Sequence, residues 1–263
     1  VKASQSGRTK IGNSPAFQSW VTQTQKLPPD QQVEAVSKKL KELNPAFDGK
    51  LTGWDGEPSS IRDGKVTDVK FNSDGITDLS PLQGFPSLRR LNISGQGQNQ
   101  TLRDLSPLQG MRLTELVCIR NLVDDLSPLH GMRLESLYCG KTHVSDLKPL
   151  EGMPLVLLDC GSTWVSDLTP VKKLPLKRLW LMSTNVSDLT PLAELNLNEI
   201  LFTPKNMTKG MDILREMKTL QTIGTDADNR YSYPAAEFWK KYDAGEFGAP
   251  IAGNKPAGQP APQ

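Results

Sequence analysis

The chain repeats itself with a period of 21 residues, and no other property restricts its fold as strongly. The string Asp-Leu-(Ser/Thr/Lys)-Pro-(Leu/Val) starts at Asp78, Asp104, Asp125, Asp146, Asp167 and Asp188, at intervals of 26, 21, 21, 21 and 21 residues. A fixed period of this length marks a stack of small units, none able to bury its apolar side alone. Counted from 1, the unit Leu134–Pro154 has apolar residues at positions 1, 4, 6, 11, 14, 17 and 20. The units starting at Leu113, Leu155, Leu176 and, more loosely, Leu197 follow the same pattern.

Each unit combines two local structures. Positions 4 and 6 alternate as a strand requires. Position 9 holds Asn121, Thr142, Thr163 or Thr184, polar side chains able to bond backbone groups where the chain leaves the strand. The Asp-Leu-Ser-Pro-Leu stretch reads as a short helical or 3₁₀ turn. Ser or Thr suits its N-cap and Pro its first position, and Gly84, Gly110, Gly131 and Gly152 suit its end. The pattern L-x-x-L-x-(L/C)-x-x-(N/T)-x-(V/L) is that of a leucine-rich repeat. The expected fold is α/β: a right-handed solenoid with a curved parallel sheet, its strands starting near Val66, Leu88, Leu113, Leu134, Leu155, Leu176 and Leu197. The Val66 unit is degenerate, as a first coil should be, and Gly95–Gln100 is a polar insertion placed in a loop.

The flanks divide the rest. Residues 1–14 read as a disordered tail, 15–64 as a helical N-terminal cap, 65–203 as the repeats, 204–243 as a C-terminal cap and 244–263 as a Gly/Pro/Ala-rich linker or tail. Phe17, Trp20 and Val21 suggest one short helix; Val33, Val36, Leu40 and Leu43 line one face of another. At the far end a helix over 208–217, a strand over 220–223 and a helix over 234–242 are expected.

The segments Val144–Leu155 and Val165–Leu176 resemble the V-S-D-L-(S/T)-P-L-x-G-M-P-L leucine-rich repeats of bacterial proteins, and Leu40–Lys50 and Pro234–Lys240 fit the flanks of the same group. In that group the array often follows a Ser/Thr protein kinase domain, which suits a chain opening Val1-Lys2-Ala3 without Met, as a piece of something longer would. The repeats also look like internalin-type repeats, which typically run one residue longer. The resemblance implies a binding module and leaves its ligand open. No kinase motif is present to carry over an activity.

Composition narrows the function classes. A net charge of +2 over 263 residues gives no bulk drive toward nucleic acid or anionic lipid. No apolar run approaches the ~18 residues of a membrane span. Three cysteines are an odd number for a disulfide framework. Cys118, Cys139 and Cys160 all fall on inward position 6 and so read as core rather than metal ligands. The aspartate ladder invites calcium, but capping of each turn explains its fixed distance to proline better. His143 near Ser145 is the one base–nucleophile pair at a strand edge, and no G-x-S-x-G accompanies it. A non-enzyme without a cofactor is expected.

The side chains left free are those pointing out of the sheet. Arg90, Val117, Arg120, Tyr138, Lys141, Asp159, Arg178, Trp180 and Met182 occupy such positions, with His143 and Trp164 at the rim. Aromatics and arginine dominate protein–protein hot spots. The expectation is a protein or peptide ligand on the concave face of a monomer. A glycan-binding surface domain and a structural spacer are the alternatives, and the cellular compartment is left open.

Overall fold

The structure, a computed structural model, describes residues 14–54, 56, 60–225 and 232–248. The tail expected over 1–14 therefore lies almost wholly outside the described residues, as does the tail expected beyond 248. The elements are α1 (Pro15–Thr24), α2 (Pro29–Leu43), β1 (Ser60–Arg62), β2 (Lys65–Lys70), β3 (Arg90–Asn92), β4 (Glu115–Val117), β5 (Ser136–Tyr138), β6 (Leu157–Asp159), β7 (Arg178–Trp180), β8 (Glu199–Phe202), α3 (Met211–Glu216), β9 (Thr222–Thr225), β10 (Tyr233–Pro234) and α4 (Ala235–Asp243).

All ten strands form one sheet in sequence order. Strands β2 to β9 pair in parallel, while β1 and β10 close the two ends in antiparallel fashion. The register places Val69, Leu91, Leu116, Leu137, Leu158, Leu179, Ile200 and Ile223 side by side, each at most 1% exposed. Cys118, Cys139 and Cys160 form a second buried row and are free thiols. Burial pushes the Cys118 thiol up to about 12, which keeps it protonated and unreactive.

Position 9 closes each coil from inside. Thr142, Thr163 and Thr184 donate their hydroxyls to the carbonyls of Cys139, Cys160 and Leu181 at 2.6, 2.6 and 2.8 Å. Asn121, with a longer side chain and two donors, reaches the Ile93 carbonyl of the preceding coil at 2.7 Å as well as that of Cys118 at 3.1 Å.

Asp, not Ser or Thr, caps the turns opposite the sheet. The Oδ1 of Asp78 accepts the backbone N–H of Ser80 at 2.7 Å, and Asp104, Asp125, Asp146, Asp167 and Asp188 do the same two residues on, each at 2.8 Å. The hydroxyl at the turn's first residue serves the carboxylate in turn, as Ser127 does to Asp125 at 2.8 Å. The ladder of carboxylates is thus satisfied coil by coil. Bonds from the Thr169 and Thr190 side chains, then from their backbones, hold Asp167 and Asp188 below the ordinary carboxylate range.

The N-terminal cap differs from a purely helical one. Helix α2 lies on the first turn so closely that a Cβ on Gly84 would stand 2.7 Å from Val36 Cγ2. Buried Asn44 joins the two: its Nδ2 donates to the carbonyls of Leu40 and Asp78, both at 2.9 Å, and its Oδ1 accepts from the N–H of Thr77 at 2.8 Å and of Asp78 at 2.9 Å. Strand β1, unexpected within 15–64, folds back on β2 through Asp63-Gly64, with φ of 51° and 68°. Both values lie in the left-handed region that such two-residue hairpins need. The polar insertion is pinned by Asp74, whose carboxylate accepts the N–H groups of Gln96, Gly97 and Gln98 at 3.2, 3.4 and 3.4 Å. At the other end Phe238 of α4 packs on Phe202 and stacks on Phe247, centroids 5.9 and 5.0 Å apart. Buried Phe247 corrects the expectation that linker begins at 244, because an aromatic anchor holds the chain to Gly248.

Replacing Asp188 by Ala should destabilise the protein by about 0.5–2 kcal/mol at pH 7 in urea melts, and Asp188→Asn, which keeps the Oδ1 acceptor, by less. A lowered carboxylate contributes stability above its unfolded pKa, so the gap between wild type and Asp188→Ala should close as pH falls below about 4. An equal loss in both variants would contradict the capping role.

Candidate recognition surface

Two rows of side chains face away from the core. The first runs Asp68, Arg90, Glu115, Ser136, Leu157, Arg178, Glu199, Thr222; the second runs Lys70, Asn92, Val117, Tyr138, Asp159, Trp180, Leu201, Gly224. Their spacing is set by the backbone ladder, so neighbours stand ~4.8 Å apart.

The N-terminal part of this face is tied up internally. Arg90 lies 3.4 Å from Asp68 and donates its Nε to Glu115 Oε2 at 2.9 Å, and its guanidinium sits 4.0 Å from the centroid of the Trp54 ring. Arg62 reaches Asp68 as well, at 3.4 Å. Arg90, expected to be free for a ligand, is therefore committed to its neighbours. Val117 departs from expectation too, being only 7% exposed between Asn92 and Tyr138. A short branched side chain between longer ones in the same row is covered by them.

The centre of the face is built differently. Tyr138 on β5 and Trp180 on β7 meet edge to face, ring centroids 5.9 Å apart and planes at 69°. Trp180 Nε1 donates to Glu199 Oε1 at 2.6 Å, which fixes the indole. Between them on β6 lie Leu157, fully buried although its row faces outward, and Asp159. Arg178 beside Trp180 is exposed, and Met182 half-buried.

Asp159 on this face is held against its preference. Its Oδ1 accepts the Gly161 N–H at 2.9 Å. A Cβ on Gly140 would stand 3.1 Å from both its oxygens, and one on Gly161 3.3 Å from Oδ1, so the group rests on two bare stretches of backbone. Burial raises its pKa, opposed by the Gly161 bond and by nearby Lys141. Lys141 and Arg120, both exposed, are among four position-8 residues with φ of 55–58°, Ser162 and Ser183 being the others. Each stands three residues beyond its strand in the left-handed region, with its N–H bonded to the next coil, Lys141 to the Gly161 carbonyl at 2.8 Å.

The rim forms a separate cluster. His143 and Trp164, one coil apart, stack with centroids 4.7 Å apart and planes 4° from parallel. Trp164 is 58% exposed. The single patch of three aromatics expected from the sequence thus resolves into two pairs, Tyr138 with Trp180 and Trp164 with His143. Three contributors escaped the sequence reading: Trp54, Glu199 and the glycine pair. The recurrence of glycine at position 7 in two successive units, 140 and 161, was the signal available for the last.

A carboxylate with a raised folded-state pKa weakens the fold once ionised, as pH rises from the ordinary carboxylate value through the raised one. Asp159→Asn keeps the acceptor for Gly161 without the charge. It should therefore melt higher than wild type at pH 7, with the advantage gone below about pH 4. A lower melting temperature at pH 7 would show that the charge itself is stabilising.

No family model and no curated protein matches the sequence. Solved structures do match in fold. An internalin, InlF, from Listeria monocytogenes is 20% identical with a TM-score of 0.52, over 76% of this chain and 58% of the internalin chain. Internalin InlC2 from the same organism is 21% identical with a TM-score of 0.49, over 76% of this chain and 98% of that one. The chain thus spans little more than half the length of the first of these structures. With the ladder of coils described above, the likeness makes this protein an α/β leucine-rich-repeat solenoid of internalin-like fold.

Proposed function

We propose that the chain is a non-catalytic recognition module that takes a protein or peptide segment on the concave face of its sheet, as the interaction or sensor part of a larger bacterial protein. The Tyr138–Trp180 pair carries this reading. Two large aromatics already in contact, one pinned by Glu199, lose little side-chain freedom when a partner covers them. Exposed Arg178 and Lys141 and the half-buried Asp159 surround the pair with both signs of charge, which supplies orientation. Met182 adds a deformable apolar edge. A second reading, glycan binding, is favoured by the rim, where the His143–Trp164 stack offers a flat exposed ring to a sugar.

Peptides selected from a random library on the wild-type chain provide the test. Trp180→Ala and Tyr138→Ala should each weaken the selected peptides by at least about 30-fold, as hot-spot truncations do, while Trp164→Ala leaves them unchanged. Selected peptides that bind the double variant Tyr138→Ala/Trp180→Ala as well as wild type would overturn the proposal. Retention on cell-wall glycan that depends on Trp164 would favour the second reading.

A further inference from the structure

A cleft of about 700 Å³ lies away from the aromatic pairs, at the edge where the chain enters strands β3 to β5. Arg89, Arg112, Arg133 and His130 line it, and Glu135 is its one acidic residue. Arg112 and Arg133 occupy the same place in successive coils, each directly before the first leucine of a unit. Equivalent positions of neighbouring coils thus bring two like charges to one cleft. Both are exposed, and neither forms an ion pair among the described residues; Glu135 comes within 4.0 Å of neither. Arg89 donates Nη1 to the Arg112 carbonyl at 2.9 Å, a contact that neutralises nothing. Three arginines elsewhere are paired, Arg90 with Glu115, Arg103 with Asp124 and Arg215 with Asp243, while Arg120 and Arg178 on the sheet face form no ion pair among the described residues.

A second cleft of about 630 Å³ continues from the first, sharing Gly110, Met111 and Arg112, and adds the amides of Gln18, Gln83 and Gln109. The whole is an elongated groove with guanidinium groups at one end and side-chain amides at the other. We infer that this groove binds an extended acidic peptide segment. Guanidinium forks pair with carboxylates in bidentate fashion, and amides both donate and accept, as a peptide backbone requires. No Trp or Tyr lines either cleft, and Phe85, which lines the second, is only 2% exposed. The inference does not rest on the sheet-face proposal, because none of the residues proposed there lines the groove.

A fluorescein-labelled hexaglutamate peptide titrated into the full chain tests it by anisotropy. Saturable binding is expected, weakening as salt rises from about 20 to about 150 mM. Arg112→Ala/Arg133→Ala should reduce affinity by about tenfold or more, and Lys38→Ala/Lys41→Ala, the same charge change on α2, should leave it within about twofold. Tyr138→Ala/Trp180→Ala should have no effect, so loss of one site is distinguishable from loss of the other. The inference is overturned by absence of saturable binding, by equal loss in the two charge variants, or by a heparin hexasaccharide that displaces the peptide and binds more tightly than it.

Discussion

Each strand of this protein depends on the next for its backbone partners and for the cover over its central leucine. The row from Val69 to Ile223 is a single continuous contact, and it exists only if every lap of the chain returns to the same register. That demand explains features that look unrelated. The three-residue strands are too short to stand alone. Left-handed residues at Arg120, Lys141, Ser162 and Ser183 turn the chain at one point of each lap, and the aspartate-capped turns reverse it at another. The ends, which lack a neighbour, are closed by β1 and α2 on one side and by β10 and α4 on the other.

The same demand concentrates variation on surfaces outside the core. Core rows are uniform because a change in volume in one coil is felt by two others. The outward rows escape this and differ strongly along the stack. From Asp68 to Glu115 the charges neutralise one another around Arg90 and Trp54, and that part of the face is internally satisfied. The central coils instead hold an aromatic pair, a carboxylate resting on glycine backbone and uncommitted cations. A carboxylate kept in surroundings that penalise its charge weakens the fold, as binding sites commonly do.

Much of this was legible in the residues themselves. Period 21 and the spacing of Leu, Cys and Thr foretold the coils, the order of the strands and the inward cysteines, while the strands of the repeats begin two residues later than expected, at Arg90 rather than Leu88 and at Ser136 rather than Leu134. Hairpin β1–β2 was not foreseen: Asp63-Gly64 is a turn signal, but the short strand before it has no clear alternation. Phe247 stands alone in a Gly-rich stretch, and only its contact with Phe238 shows that it is an anchor. On the outer face, position told which side chains leave the core but not how they pair. Nothing in one dimension distinguishes Arg90, held by Glu115, from Arg178, exposed beside Trp180, since pairing there depends on neighbours 21 to 25 residues away. The arginine groove was missed for a related reason, as it is assembled from equivalent positions of successive coils.

Excision of one lap tests the register directly. Removing 134–154 joins Arg133 to Leu155 and leaves every later residue in phase. That variant should melt cooperatively, with the sheet signal in circular dichroism reduced only in proportion to its length, whereas removing 134–153 should abolish the cooperative transition. Indistinguishable melting of the two deletions would mean that something other than the repeated lap holds the molecule together.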